Sequence, residues 1–171
     1  MILQLCDESV EELGQAIRVE HLPELSDHDV TVAYLFAASS GNGQPALTHH
    51  GWPVLGLCKV NSYRERVQGL ADVTIILDKE KWKHLEEEQR QALLHHELMH
   101  IELLTKDARV KYDRANRPAM KIRPHDIELG GFTAIALKYG HAAPEVTLCK
   151  KAVQLLMPWL DGASEIKSVK L

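Results

Sequence analysis

Cysteine is scarce and badly spaced for cross-linking. The 171 residues hold three, Cys6, Cys58 and Cys149, and so odd and scattered a set offers neither a disulfide framework nor a C-x-x-C zinc ribbon. They read as buried, reduced thiols. Long apolar runs are missing too: the longest, Val32 to Ala38, is far too short to cross a bilayer, and no membrane partner is expected. The start, Met1-Ile-Leu-Gln-Leu-Cys-Asp7, has neither the basic region nor the apolar stretch of a signal peptide, so the expected location is the cytoplasm. Nor is there an excess of positive charge. Twenty Lys and Arg against 24 Asp and Glu leave a formal net charge of −4, which gives a phosphate backbone little to bind, and nucleic acid is not an expected partner. Repeats and low-complexity segments are absent.

What remains is 45% hydrophobic and 26% charged, with 10 Gly and 7 Pro, the composition of one globular domain spanning 1–171. A chain of this length buries roughly 70% of the surface that its unfolded form exposes, so it needs no metal merely to fold. A metal, if held, would be there for function.

Hydrophobic period divides the chain further. Val10, Leu13 and Ile17 lie at helical spacing between Glu8 and Glu20, and Ser26-Asp27-His28-Asp29 reads as a capping box opening a second helix over Val30 to Ala38. Residues 1–50 are thus expected to be a helical extension. Ser39 to Pro53 carries the densest run of turn residues and is expected to be a loop. Val54 to Val60 and Asp72 to Asp78 read as strands; in the second, Val73, Ile75 and Leu77 share one face and Thr74 and Ile76 the other. From Glu86 to Leu104 the apolar positions Leu93, Leu94, Leu98, Ile101, Leu103 and Leu104 predict a helix, with Glu86, Glu87 and Glu88 at its positive end. A hairpin is expected over Arg109 to Arg123, turning at Asp113 to Asn116. A helix is expected from Ile127 to Tyr139, stopped by Gly140, and a last one from Pro144 to Leu160, followed by a frayed tail. The fold class is therefore α+β: a small mixed sheet packed on the central helix of a core over 52–140, with further helices at both termini, the last in 144–171.

Ten histidines are the conspicuous excess, and His84, His95, His96 and His100 fall within seventeen residues. The central helix contains His96-Glu97-Leu98-Met99-His100, a complete H-E-x-x-H. Residues four apart lie one turn above each other, so His96 and His100 can aim two imidazoles at one ion. Glu97, about one hundred degrees round the helix, keeps its carboxylate free to act on a water as general base. With ten histidines, chance alone would produce this motif in roughly 5% of such chains, so its placement has to argue for it. It sits in the most apolar helix, where two imidazoles and a carboxylate are costly to bury unless something satisfies them.

Zinc needs a third protein ligand and an open position. His125 is the expected one, since the 24 residues after His100 can form a hairpin that brings the chain back. Glu128 is the alternative, and His141 a more distant candidate. Asp126 could ligate, steady an imidazole, or simply cap a helix. His95 points away from the His96 side of its helix, and neither it nor His84, His49 or His50 is given a role. Tyr112, Arg123 and Tyr139 are possible donors to a developing negative charge, and spacing selects none of them.

Three stretches carry a family likeness: Gly69-Leu-Ala-Asp-Val-Thr-Ile-Ile-Leu-Asp78, Gln89-Arg-Gln-Ala-Leu-Leu-His-His-Glu-Leu-Met-His100, and Lys121-Ile-Arg-Pro-His-Asp126. Over residues 52 to 135 the chain resembles the phage metallopeptidase family and, more distantly, is similar to SprT-like zincins. The resemblance implies a zincin-like fold, zinc ligands His96, His100 and His125, and Glu97 as the catalytic base. Unlike the wider SprT pattern, there is no C-terminal cysteine-rich ribbon and no basic patch. The expected activity is that of a zinc endopeptidase acting on a protein or peptide, in the host cytoplasm if the chain is phage-encoded. The substrate backbone would pair with an exposed strand edge, expected to be Asp72 to Asp78. Two rivals are a metal-stabilised binding module with a closed, four-ligand site and a zinc amidase acting on peptidoglycan.

Overall fold

In the computed structural model, which describes residues 1–41, 45–125 and 131–156, the elements run in this order: β1 (Ile2–Leu5), α1 (Glu8–His21), α2 (Pro23–Asp27), β2 (Val32–Ala38), β3 (Thr48–His49), β4 (Trp52–Pro53), β5 (Gly56–Val60), α3 (Tyr63–Val67) and β6 (Val73–Asp78). There follow α4 (Lys79–Lys83), α5 (Glu87–Met99), β7 (Ile101–Leu103), β8 (Thr105–Lys106), β9 (Arg109–Val110), β10 (Met120–Ile122), α6 (Thr133–Tyr139) and α7 (Pro144–Leu156). The architecture is mixed α+β. None of the described helices is long and apolar enough to cross a membrane.

The main sheet has the order β1-β2-β6-β5. β2 and β6 run parallel, while β1 and β5 pair antiparallel on the outside. Val30 to Ala38, expected as a helix, is therefore a strand. An apolar run with no polar face carries no period to distinguish helix from strand, and here partners on both sides decide for the strand. Ser26 and Asp27 do not cap a helix at Val30; they close α2, whose end is fixed by the Val30 N–H to Leu25 carbonyl bond of 2.9 Å. The first fifty residues thus supply two strands of the sheet as well as α1 and α2. Ser39 to Pro53 is irregular where described, apart from the small β3–β4 hairpin.

The strand expected at Asp72 to Asp78 forms as Val73–Asp78, buried on both faces, but it is an inner strand, with Leu77 opposite both Phe36 and Gly56. The edge beside the central helix is β5. The start of β6 is fixed by Asp72, 1% exposed, whose Oδ2 accepts from the Thr31 N–H and hydroxyl, each at 2.8 Å, and from Arg117.

From Ala92 to Leu98, α5 is buried on every side. One apolar cluster joins it to the sheet and α1 through Ile17, Tyr34, Ile75, Leu77, Leu94 and Leu98. A second, Ala92, Phe132, Ile135, Tyr139, Ala142 and Ala143, packs α6 and the turn leading into α7 on its other side. The helix stops at Met99, short of the expected Leu104, because Ile101, Glu102 and Leu103 pair as β7 with Ile122, Lys121 and Met120 of β10. The expected hairpin over Arg109 to Arg123 is consequently redistributed. Its turn does form at Asp113, whose Oδ1 accepts from the Ala115 and Arg117 amides. Yet β9 pairs with β8, and β10 reaches back to β7. The Ile127 to Tyr139 helix is present only from Thr133, and residues 126–130 lie outside the described residues. Gly140 ends it as expected, with φ 52°.

Candidate metal centre

The C-terminus of α5 and the return of β10 build the site together. His96 lies in the last turn of α5 and His100 is its C-cap. Arg123, just past β10, is clamped to that cap twice: its N–H donates to the His100 carbonyl at 2.7 Å, and its own carbonyl accepts from His100 Nδ1 at 2.8 Å. Two residues later, His125 faces the helix. One ligand atom each from His96, His100 and His125 then lie within 4.8 Å of one another, so the three could hold a metal ion. His96 is buried, His100 half-buried and His125 exposed.

Their tautomers follow from their partners. A carbonyl can only accept, so His100 carries its proton on Nδ1 and leaves Nε2 bare. His96 Nδ1 lies 2.6 Å from Glu145 Oε1, a carboxylate in the first turn of α7, and a carboxylate accepts the proton that Nδ1 carries. His96 Nε2 and His125 Nε2 approach to 3.2 Å. Burial, only partly offset by the Arg123 carbonyl, drives the His100 pKa down to about 4, so this ring is neutral and able to ligate at neutral pH. Phe132, with 0% exposure, sets its ring 5.1, 5.0 and 5.2 Å from those of His96, His100 and His125.

Glu97 is 4% exposed. Burial, countered in part by His96, lifts its pKa to about 7. It lies against β5, where a methyl group at Gly56 would fall 2.5 Å from its Oε1. Burial likewise pushes Glu145 up, but the His96 hydrogen bond, backbone N–H donors including that of Phe132, and the charge of His96 together outweigh this and hold the carboxyl below its ordinary value.

The remaining candidates lie elsewhere or are engaged. His95, given no role from the sequence, is buried, stacks on His21 at 4.8 Å with 8° between the rings, and has its Nδ1 3.1 Å from the Tyr139 hydroxyl. That contact occupies Tyr139, and Tyr112 is 2.7 Å from His28 Nδ1. Of the three possible donors only Arg123 borders the triangle, with its guanidinium 5.3 Å above the Phe132 ring. His84, His49, His50 and His141 are exposed, and none belongs to the histidine group. Asp126 and Glu128 lie outside the described residues.

Glu145, Phe132 and Gly56 were not singled out from the sequence. An acidic residue following Pro144 at a helix start is commonplace, and nothing marks Phe132. A signal existed only for Gly56, because a glycine inside a strand pattern signals close backbone approach.

Comparison with known proteins extends beyond the stretch that carries the motifs. A family model described as "Putative phage metallopeptidase" matches residues 5–155, including most of the N-terminal segment. No curated protein and no solved structure matches the chain.

Proposed function

The chain belongs to the Putative phage metallopeptidase family, and from that membership and the histidine triangle we propose that it is a zinc-dependent endopeptidase of zincin-like fold. His96, His100 and His125 are the metal ligands in this reading, and Glu97 is the general base. The observation that carries it is the convergence of one ring nitrogen from each of three histidines, all within 4.8 Å of one another. Tetrahedral zinc with Zn–N bonds of roughly 2.0–2.1 Å sets two ligand nitrogens about 3.3 Å apart, against 3.2 Å between His96 and His125. Charge points the same way. Two buried carboxylates, Glu97 and Glu145, border these rings, and Glu145 Oε2 has no hydrogen-bond partner among the described residues. A divalent cation offsets that excess of buried negative charge.

When bound, zinc supplies polarisation of the scissile carbonyl and a lowered pKa for the attacking water. Glu97 takes the proton from that water and returns it to the leaving amine. The substrate strand belongs on β5 rather than on Asp72 to Asp78, because β5 is an edge of the main sheet and Gly56 brings it against Glu97. A peptide extended along this edge passes directly by the base. The partner is accordingly a protein or peptide, and the setting is the cytoplasm, the host's if a phage encodes the chain.

The test compares two variants for bound metal and for hydrolysis of an unfolded, fluorescently labelled protein. Glu97→Gln is expected to keep the metal and lose activity by about 10²-fold or more, whereas His125→Ala loses both. Parent-like cleavage by Glu97→Gln overturns the mechanism, and an unchanged metal content in His125→Ala removes that residue from the ligand set.

A further inference from the structure

We infer that Glu145 is a positioning residue of the metal centre, fixing His96 as a ligand and making α7 part of the site. This rests on the metal-binding reading above but asks something separate: what sets the affinity. Glu145 Oε1 touches His96 on Nδ1, the ring nitrogen opposite the Nε2 that meets His125, so Glu145 stands behind the ligand rather than among the ligands. Its effect is exerted through the imidazole. A carboxylate accepting the Nδ1 proton locks the ring's tautomer and rotation and raises the basicity of Nε2. Among the described residues no Lys or Arg forms an ion pair with Glu145, and His96 is the basic side chain its charge meets.

The surroundings hold this carboxylate in place. Oε1 also accepts the Phe132 N–H at 3.2 Å, and Phe132 is the residue whose ring touches all three histidines. Gly131 leaves the space it needs, since a Cβ there would fall 1.9 Å from Glu145 Cγ. One oxygen therefore ties the backbone before α6, the first turn of α7 and a histidine of α5 together.

Glu145→Gln separates positioning from scaffolding. The amide oxygen still accepts from Phe132 and only the negative charge is lost, so a purely structural role predicts no change in metal affinity. Zinc titration of the full-length, metal-free protein against a chromophoric chelator should instead show affinity falling by about 10–100-fold, with the metal-free protein still folded by circular dichroism. Gly131→Ala, which touches no ligand, should show a loss in the same direction because it displaces the carboxylate. Parent-like zinc affinity in Glu145→Gln overturns the inference, as does a loss of affinity accompanied by an equal loss of the metal-free fold. If the parent chain itself binds no zinc, the metal-binding reading falls and takes this one with it; if the parent binds and Glu145→Gln does not differ, only the role of Glu145 falls.

Discussion

At the scale of single residues, the close approach of β5 to α5 makes Gly56 the most exacting position near the site. A methyl group there would lie 2.5 Å from Glu97 Oε1 and 2.8 Å from its Cδ, well inside van der Waals contact, and Glu97 is too deeply buried to swing into solvent. Gly56→Ala should therefore displace the carboxylate without touching a histidine. The expected result is a fall in kcat of tenfold or more, since an ångström of misplacement costs about 10²-fold in well-positioned chemistry, with zinc affinity unchanged. A variant with parent-like kcat would place Glu97 outside the reaction. Residue spacing singled out His96, Glu97 and His100 because the α-helix alone relates them. Glu145 was invisible for the opposite reason: it reaches His96 from 49 positions away, and only packing brings it there.

At the scale of elements, α5 owes its rigidity to being enclosed on two sides. Leu94, fully buried one residue before His95, packs in the cluster shared with the sheet and α1. Leu94→Ala should cost about 2–5 kcal/mol of stability through lost burial and the cavity left behind, measurable by urea unfolding of the metal-free chain. A cost below about 1 kcal/mol would mean that this face of the helix is not packed as described. The two elements read differently from sequence and structure share one cause. Val32 to Ala38 is apolar almost throughout, and Ile101 to Leu103 continue the apolar count of a real helix. In both cases local pattern was compatible with a helix, and a partner strand distant in sequence settled the matter: β6 for the first, β10 for the second.

For the molecule as a whole, Asp72 links regions far apart in sequence, joining Thr31, Arg66 and Arg117 at the base of the sheet. Burial raises its pKa, but the Arg117 and Thr31 hydrogen bonds more than reverse that and hold the carboxyl below its usual 3.8. A carboxyl with a depressed folded-state pKa contributes stability above its unfolded value, near about 3.9, and that contribution is lost as pH falls through the lower folded value. The melting temperature of Asp72→Asn should lie below the parent's at neutral pH, and the gap should narrow below about pH 4. A gap that stays constant down to pH 2 would mean that the ionised form of Asp72 adds nothing.

The sequence by itself determined what depends on neighbours along the chain: the mixed α+β class, the existence of β6 as a strand, the Gly140 stop, and the pairing of His96 with His100 on one helical rod. The tertiary structure decided which strand forms the sheet edge, where α5 gives way to β7, how His125 meets the other two rings, and that a carboxylate from α7 stands behind His96. The division has a physical origin. Helical geometry relates residues a few positions apart whatever surrounds them, whereas strand pairing and the convergence of side chains depend on contacts made only once the whole chain has packed.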